Sequence, residues 1–500
     1  MKPFTRHSVI AFFVCGSVAC ASAQAVNPSG STDQTGQAGQ STQSSPADAT
    51  SDIVGSSAPE TGYVDLLAGL AYTDNSQLAA GHHQGDGIGT AGLDADYIRQ
   101  GNLSVKLLGD LERVEYLRGT YPGQFYGHLF GSALLGKPTD VVQWQLSDRF
   151  GEGMTDPLAA PTPQNLQTIN NVSTGPIVNL HFGLTNRLSL FGVYGRTSYQ
   201  RSPYDTQSYL GGAELIHQIS GASSVGLQGS TERVDYLDRP TAQSALGTTV
   251  ANFDIRQASV SYQTALARTR LLLRAGYNQL DYGPEGRHGA PLFDVQIRRA
   301  VTPDSTVFLT GQQAYSTNGS SMGTTDRQYT LQTGGSVAPG LAIAQPYLLR
   351  SGAAGWQFSR ARTNFSLMGS IRQSVFTQSV TTKNYNHRDE SVTASIGRKL
   401  RPTLTLELRG QGDFERYSNV GARTQWYSVR LTIAKHFRRL AIWAYAERRH
   451  QSGSSGVSNF LGSTYDDNRV GVYFTYDLFG ARGTGGGLGG LPAIAGSSGW

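Results

Sequence analysis

The sequence predicts an all-β chain that closes into a single antiparallel transmembrane β-barrel of about 20 strands, within a range of roughly 16 to 22. Three observations predict it. The chain opens on an export signal, apolar and polar residues alternate from Gly62 onward, and the connections alternate between short and long.

The export signal comes first. Lys2 and Arg6 precede an apolar stretch from Val9 to Ala21, and Ala21-Ser22-Ala23 gives a signal peptidase its small residues. An apolar run of roughly 13 residues falls short of the roughly 20 that a helix needs to cross a bilayer. Residues 1–23 therefore read as a Sec signal peptide, which implies export from the cytoplasm; together with the barrel pattern of the rest of the chain, the expected location is the outer membrane of a Gram-negative cell. Cys15 and Cys20 are the two cysteines of the chain and both lie in this segment. The mature chain then has no thiol to oxidise, pair or bind metal.

Loss of Lys2 and Arg6 leaves 39 basic residues against 36 acidic ones, a net +3. So small an excess, interleaved along the chain, predicts no nucleic-acid partner. Residues 24–60 hold only Val26, Ile53 and Val54 as large apolar side chains and no aromatic ring. A segment that cannot bury apolar surface does not offset its ordering entropy, so it reads as a disordered periplasmic linker and not as a folded plug. The barrel is expected over residues 61–479, followed by a Gly-rich tail over 480–500.

Alternation defines the strands. From Thr403 to Arg416, Leu404, Leu406, Leu408 and Phe414 fall on one face, and Thr405, Glu407, Arg409, Gln411, Asp413 and Glu415 on the other. A strand separates these sets and a helix mixes them. Val142, Trp144 and Leu146 split likewise from Gln143 and Gln145, and Val392, Ala394 and Ile396 from Thr393 and Ser395. A soluble sandwich shows the same alternation, so the rhythm of connections decides. Short turns at residues 99–102, 136–139, 184–187, 220–223, 266–269, 302–305, 359–362, 400–403 and 436–439 alternate with longer polar loops, among them 76–86, 151–165, 238–251, 317–345 and 451–466. Short periplasmic turns and long extracellular loops are the habit of outer-membrane barrels. Loops 151–165 and 317–345 are the candidates for constricting the lumen.

The chain holds 24 Tyr, 19 Phe and 5 Trp. Tyr72, Tyr97, Tyr116, Tyr199, Tyr236, Tyr282, Tyr315 and Tyr417 stand near strand ends, where a girdle at the lipid headgroups is expected. The last strand, Arg469 to Tyr476, places Gly471, Phe474 and Tyr476 in a pattern that resembles the signal read by the barrel-insertion machinery. Outer-membrane lipid and that machinery are thus the expected partners.

Three stretches carry a family resemblance: Ala71-Tyr72-Thr73-Asp74-Asn75, the segment from Leu180 to Ser220, and Gln357 to Thr363. They resemble the second putative β-barrel porin family, whose relatives include outer-membrane proteins of exopolysaccharide and exosortase-associated gene clusters. The resemblance implies a channel or export-associated barrel in surface polysaccharide secretion, with polysaccharide export components as further partners.

No catalytic residue is expected. The ten histidines are scattered, and neither a Gly-x-Ser-x-Gly elbow nor a Gly-rich phosphate loop is present. His82-His83 reads as a solvated loop, so no metal and no cofactor is expected. The chemistry lies in charges assigned to the lumen by their apolar neighbours: Lys106, Arg274, Arg298, Arg372, Arg409 and Arg430 against Asp110, Glu112, Asp294, Glu407, Asp413 and Glu415. Rings of one sign select ions of the other, so six against six predicts a weakly selective channel. Inward Tyr and Trp rings would offer stacking faces to sugars. Two alternatives stay open: a non-conducting barrel that tethers periplasmic export machinery, and an outer-membrane hydrolase.

Overall fold

The computed structural model describes residues 60–79, 84–137, 139–155, 162–202, 204–237, 251–283, 286–317, 340–341, 345–377, 386–418, 421–454 and 464–478. The expected signal peptide, linker and Gly-rich tail, and the His82-His83 pair, lie outside these residues. The first strands are β1 (Glu60–Thr73), β2 (Asp86–Arg99), β3 (Leu103–Tyr116), β4 (Gln124–Leu135), β5 (Val142–Met154), β6 (Leu166–Phe182) and β7 (Asn186–Tyr199). Then follow β8 (Thr206–Ser220), β9 (Ser223–Tyr236), β10 (Phe253–Ala265), β11 (Thr269–Asp281), β12 (Arg287–Thr302), β13 (Ser305–Ser316) and β14 (Gly340–Leu341). The last are β15 (Tyr347–Arg360), β16 (Thr363–Phe376), β17 (His387–Arg401), β18 (Leu404–Tyr417), β19 (Ala422–His436), β20 (Leu440–Ser454) and β21 (Tyr465–Asp477).

All but the two-residue β14 form one closed antiparallel ring of 20 strands, in which β13 pairs with β15 and β21 returns to β1. No helix occurs among the described residues. Nine short turns share one end with the start of β1 and the finish of β21. That end is periplasmic in a barrel of this kind.

Why the wall forms is clearest in β19. Trp426, Ser428, Arg430, Thr432 and Ala434 are buried on one face, while Tyr427, Val429, Leu431 and Ile433, 42% to 52% exposed, cover the other. Directly paired residues share a face, so the register carries this division around the ring. Leu66, Leu70, Trp144, Leu190, Val260, Leu309, Leu367 and Leu408 all stand exposed on the outer side. Exposed apolar side chains on every side are costly in water and satisfied in lipid.

Two glycines let the wall turn sharply. Gly109 and Gly127 have φ of 122° and 126°, and a Cβ on Gly109 would stand 1.8 Å from the His128 carbonyl oxygen. The β3–β4 ladder therefore admits only hydrogen there. Gly109→Ala is expected to cost about 2 kcal/mol or more, seen as a smaller folded fraction after refolding into detergent and read by heat-modifiable migration.

The ring closes through nine β1–β21 pairs, from Asp65↔Asp477 to Thr73↔Arg469. The Thr73-Asp74-Asn75 stretch clasps its extracellular end. Thr73 Oγ1 donates to Asp467 Oδ1, Asn468 Nδ2 donates to Asp74 Oδ2 at 2.7 Å, and Asn75 Nδ2 donates to the Asp466 carbonyl at 2.8 Å. One segment singled out in the sequence is thus bound to closure of the barrel.

Candidate functional site

The inner face of the ring carries charged and polar side chains along its length, with buried apolar clusters among them. Register places Lys106, Asp110 and Glu112 of β3 on it, opposite Ile98, Asp94 and Gly92. Arg274 stands directly across from Asp294, and Arg298 across from Arg270. Arg372, Asp389 and Glu415 form one cross-strand row. Arg409, Arg430, Glu447 and Arg469 form another, with Glu407 and Asp413 on the same face of β18. All twelve charges named from the sequence therefore share the face opposite the apolar belt.

Several are held by hydrogen bonds within the wall. Thr90 Oγ1 donates to Glu112 Oε2 at 2.8 Å, Gln411 Nε2 to Asp413 Oδ2 at 3.1 Å, and Tyr417 OH to Glu415 Oε2 at 3.2 Å. The densest network lies on β19, β20 and β21. Arg430 and Arg449 both donate to Glu447 Oε2, at 3.1 Å and 3.0 Å, and Arg469 pairs with Asp467 at 2.5 Å. Arg430 also lies 4.3 Å from the centre of the Tyr445 ring. Glu447, Arg449, Asp467 and Arg469 are absent from the set read from the sequence.

The three residues of the insertion pattern divide between the faces. Phe474 and Tyr476 point outward, 46% and 44% exposed. Gly471 points inward beneath Tyr445, whose Cε1 would lie 2.6 Å from an added Cβ.

At the extracellular end two strand pairs leave the wall and fold inward. The first is β5–β6. Pairing between β4 and β5 stops at Leu129↔Phe150, while β5 stays paired with β6 through Met154↔Leu166. Glu152 Oε1 accepts the Gly127 N–H at 3.0 Å, across the opened seam. Leu166 at the start of β6, 1% exposed, packs against Ile88, Val114 and Tyr126. Those three are inward residues of β2, β3 and β4, so the tip lies against the inside of the wall.

The second is β13–β15. Pairing of β12 with β13 ends at Phe293↔Gln313, but β13 and β15 remain paired through Ser316↔Tyr347. Tyr315 and Leu348 pack onto Phe253, Ile255, Leu280 and Ala290, inner residues of β10, β11 and β12. The Asn278 amide, oriented to satisfy both bonds, donates to the Ala290 carbonyl and accepts the Tyr315 N–H, each at 2.8 Å. The two inward regions are connected, because β14 pairs in parallel with Gly153 and Met154 at the end of β5.

This folding corrects the aromatic girdle. Only Tyr72 and Tyr97 of the eight tyrosines keep the outer register. Tyr199, Tyr236, Tyr282 and Tyr315 join one buried cluster inside the mouth. Tyr116 packs beneath the β6 tip with its ring 5.2 Å from that of Tyr121, and Tyr417 is 1% exposed on the inner face. The inward hairpins supply apolar partners at the strand ends, and the rings are drawn to them. Tyr194, Tyr209, Tyr277, Tyr427 and Tyr476 are exposed outer tyrosines that the girdle expectation passed over. One inward pair of rings is taken up within the wall: Trp443 stacks on Tyr473 at 5.6 Å and 8°, both buried.

No group of three or more His, Cys, Asp or Glu side chains placed to hold a metal occurs among the described residues. A closed ring, a lipid-facing belt and a charged inner face define a transmembrane β-barrel of the outer-membrane type. No family model matches the chain, and no curated protein matches it. Among solved structures it is similar to the siderophore receptor PirA from Acinetobacter baumannii, with 11% identity and a TM-score of 0.44 over 83% of this chain and 81% of that one. OccK2 (OpdF) from Pseudomonas aeruginosa is similar at 11% identity and a TM-score of 0.34, over 83% and 98%. OccAB3 from Acinetobacter baumannii is similar at 9% and 0.35, over 84% and 99%.

Proposed function

We propose that the protein is a narrow outer-membrane channel for polar solutes, serving export or surface presentation of exopolysaccharide. The observation that carries the channel reading is the inner face itself. Residues of both charge signs line it from Arg298 and Lys106 near the periplasmic turns to Glu415 and Arg469 near the loops. A ring of 20 strands is wider than side chains alone need to fill it. The inward β5–β6 and β13–β15 tips then set the width of the extracellular mouth. Polysaccharide as the cargo is supported by the resemblance of Leu180 to Ser220 and its companion stretches to barrels of exopolysaccharide clusters.

Purified protein in planar bilayers is expected to conduct with a modest cation preference, about two- to threefold, since Asp65, Asp94 and Asp477 form one cross-strand row with Asp110 on the inner face and add carboxylates to the balanced twelve. A barrel that inserts and never conducts would overturn the channel reading.

A further inference from the structure

The periplasmic turns do not share their charge evenly. Arg268 and Arg270 flank the β10–β11 turn, Arg299 leads into the β12–β13 turn, and Arg360 and Arg362 flank the β15–β16 turn, all exposed. Arg398 and Arg401 flank the β17–β18 turn, and Lys435 at the end of β19 leads into the β19–β20 turn that holds Arg438 and Arg439, again exposed. Among the described residues of these five adjacent turns one acidic side chain opposes them, Asp304, 3.9 Å from Arg360. The formal charge of the entire chain is only +5, so one arc of the rim concentrates the basic excess. The turn between β4 and β5, by contrast, sets Lys137 beside Asp140.

Two features say what such an arc suits. It covers one side of the rim and not a full ring, whereas lipid headgroups surround a barrel on all sides. Arg299, Arg398 and Lys435 keep the outer register, but the arc also continues over the edge, because Arg270 and Arg298 face each other on the inner register and Lys399 lies inward opposite Thr405. Lipid does not reach there. Neighbouring turns are two strands apart, roughly 10 Å, about the length of two linked sugar rings. An extended chain with regularly spaced anionic groups can meet successive turns and then the lumen.

We propose that this arc is the periplasmic docking site for an acidic polysaccharide, a chain carrying carboxylates on its sugar rings. The proposal rests on the channel reading and names the charge class of the cargo. Full-length protein in uncharged detergent micelles is expected to bind labelled polygalacturonate and not dextran of the same length, with affinity falling as salt screens the contact. Joint replacement of Arg398, Arg401, Arg438 and Arg439 by Gln is expected to weaken binding by about tenfold or more, with heat-modifiability unchanged. Arg99→Gln with Lys137→Gln, on the other side of the rim, should leave it unchanged.

Equal binding of both polymers, binding of neither, or binding indifferent to the four substitutions would overturn the proposal. So would capture of phosphatidylglycerol nanodiscs alone, which would make the arc a lipid anchor. Conductance without polygalacturonate binding removes the acidic cargo and leaves the channel; binding without conductance removes the channel and leaves the docking arc.

Discussion

Replacing Leu166 by aspartate is expected to raise single-channel conductance several-fold while the barrel stays folded. Leu166 is the apolar contact that seats the β5–β6 tip on Ile88, Val114 and Tyr126. Burying a leucine contributes about 2 kcal/mol, and a carboxylate in that cluster would cost several kcal/mol more. The substituted tip leaves the wall, because the hydrogen bond from Gly127 to Glu152 and the short β14 pairing remain too weak to hold a buried charge in place. The strand ladders below Phe150 do not depend on this contact, so heat-modifiable migration should be unchanged. Leu166→Met keeps volume and apolarity and should conduct as the parent does. Conductance unaltered by aspartate, in an intact barrel, would show that the tip does not set the width of the mouth.

The strands and turns were legible because a half-buried wall imposes a period of two that the residues cannot hide. In β18, Leu404 to Phe414 alternate without an exception that blurs the faces, and Pro303, Pro402 and Gly221 mark turns that the backbone requires. Face assignment fails where both faces are apolar or both are charged. In β20, Ile442, Ala444 and Ala446 face lipid while Trp443 and Tyr445 face inward, and Glu447-Arg448-Arg449 puts charge on both sides. Alternation cannot choose between such faces, which is why Glu447 and Arg449 were missed.

The mouth was less legible still. Its tyrosines obey the same periodicity as girdle residues, and what sets them inside is packing between strands far apart in sequence, as when Ile169, Tyr282 and Leu348 share one buried cluster. A sequence signal does exist. Leu166 and Ile169 are large apolar residues of opposite parity at the start of a strand, and both can be buried only if that strand end has protein on both sides. The expectation of a lipid girdle assumed one apolar side.

The buried network on β19, β20 and β21 gives the other large effect. Glu447→Gln is expected to lower barrel stability by about 3 kcal/mol or more, because it leaves Arg430 and Arg449 buried without the carboxylate that both of them touch. Side-chain exposures of 1% for Glu447 and 4% for each arginine mean that water does not take its place. The measurement is the temperature at which the fast-migrating folded form is lost in detergent. Removing the whole set, with Arg430→Met, Glu447→Leu and Arg449→Met together, should be less damaging than the single change. Three apolar side chains of similar volume carry no uncompensated charge, whereas one neutralised carboxylate strands two. If the triple variant is instead the less stable of the two, the cross-strand attraction exceeds the desolvation cost, and the network clamps the seam beside the β21–β1 closure.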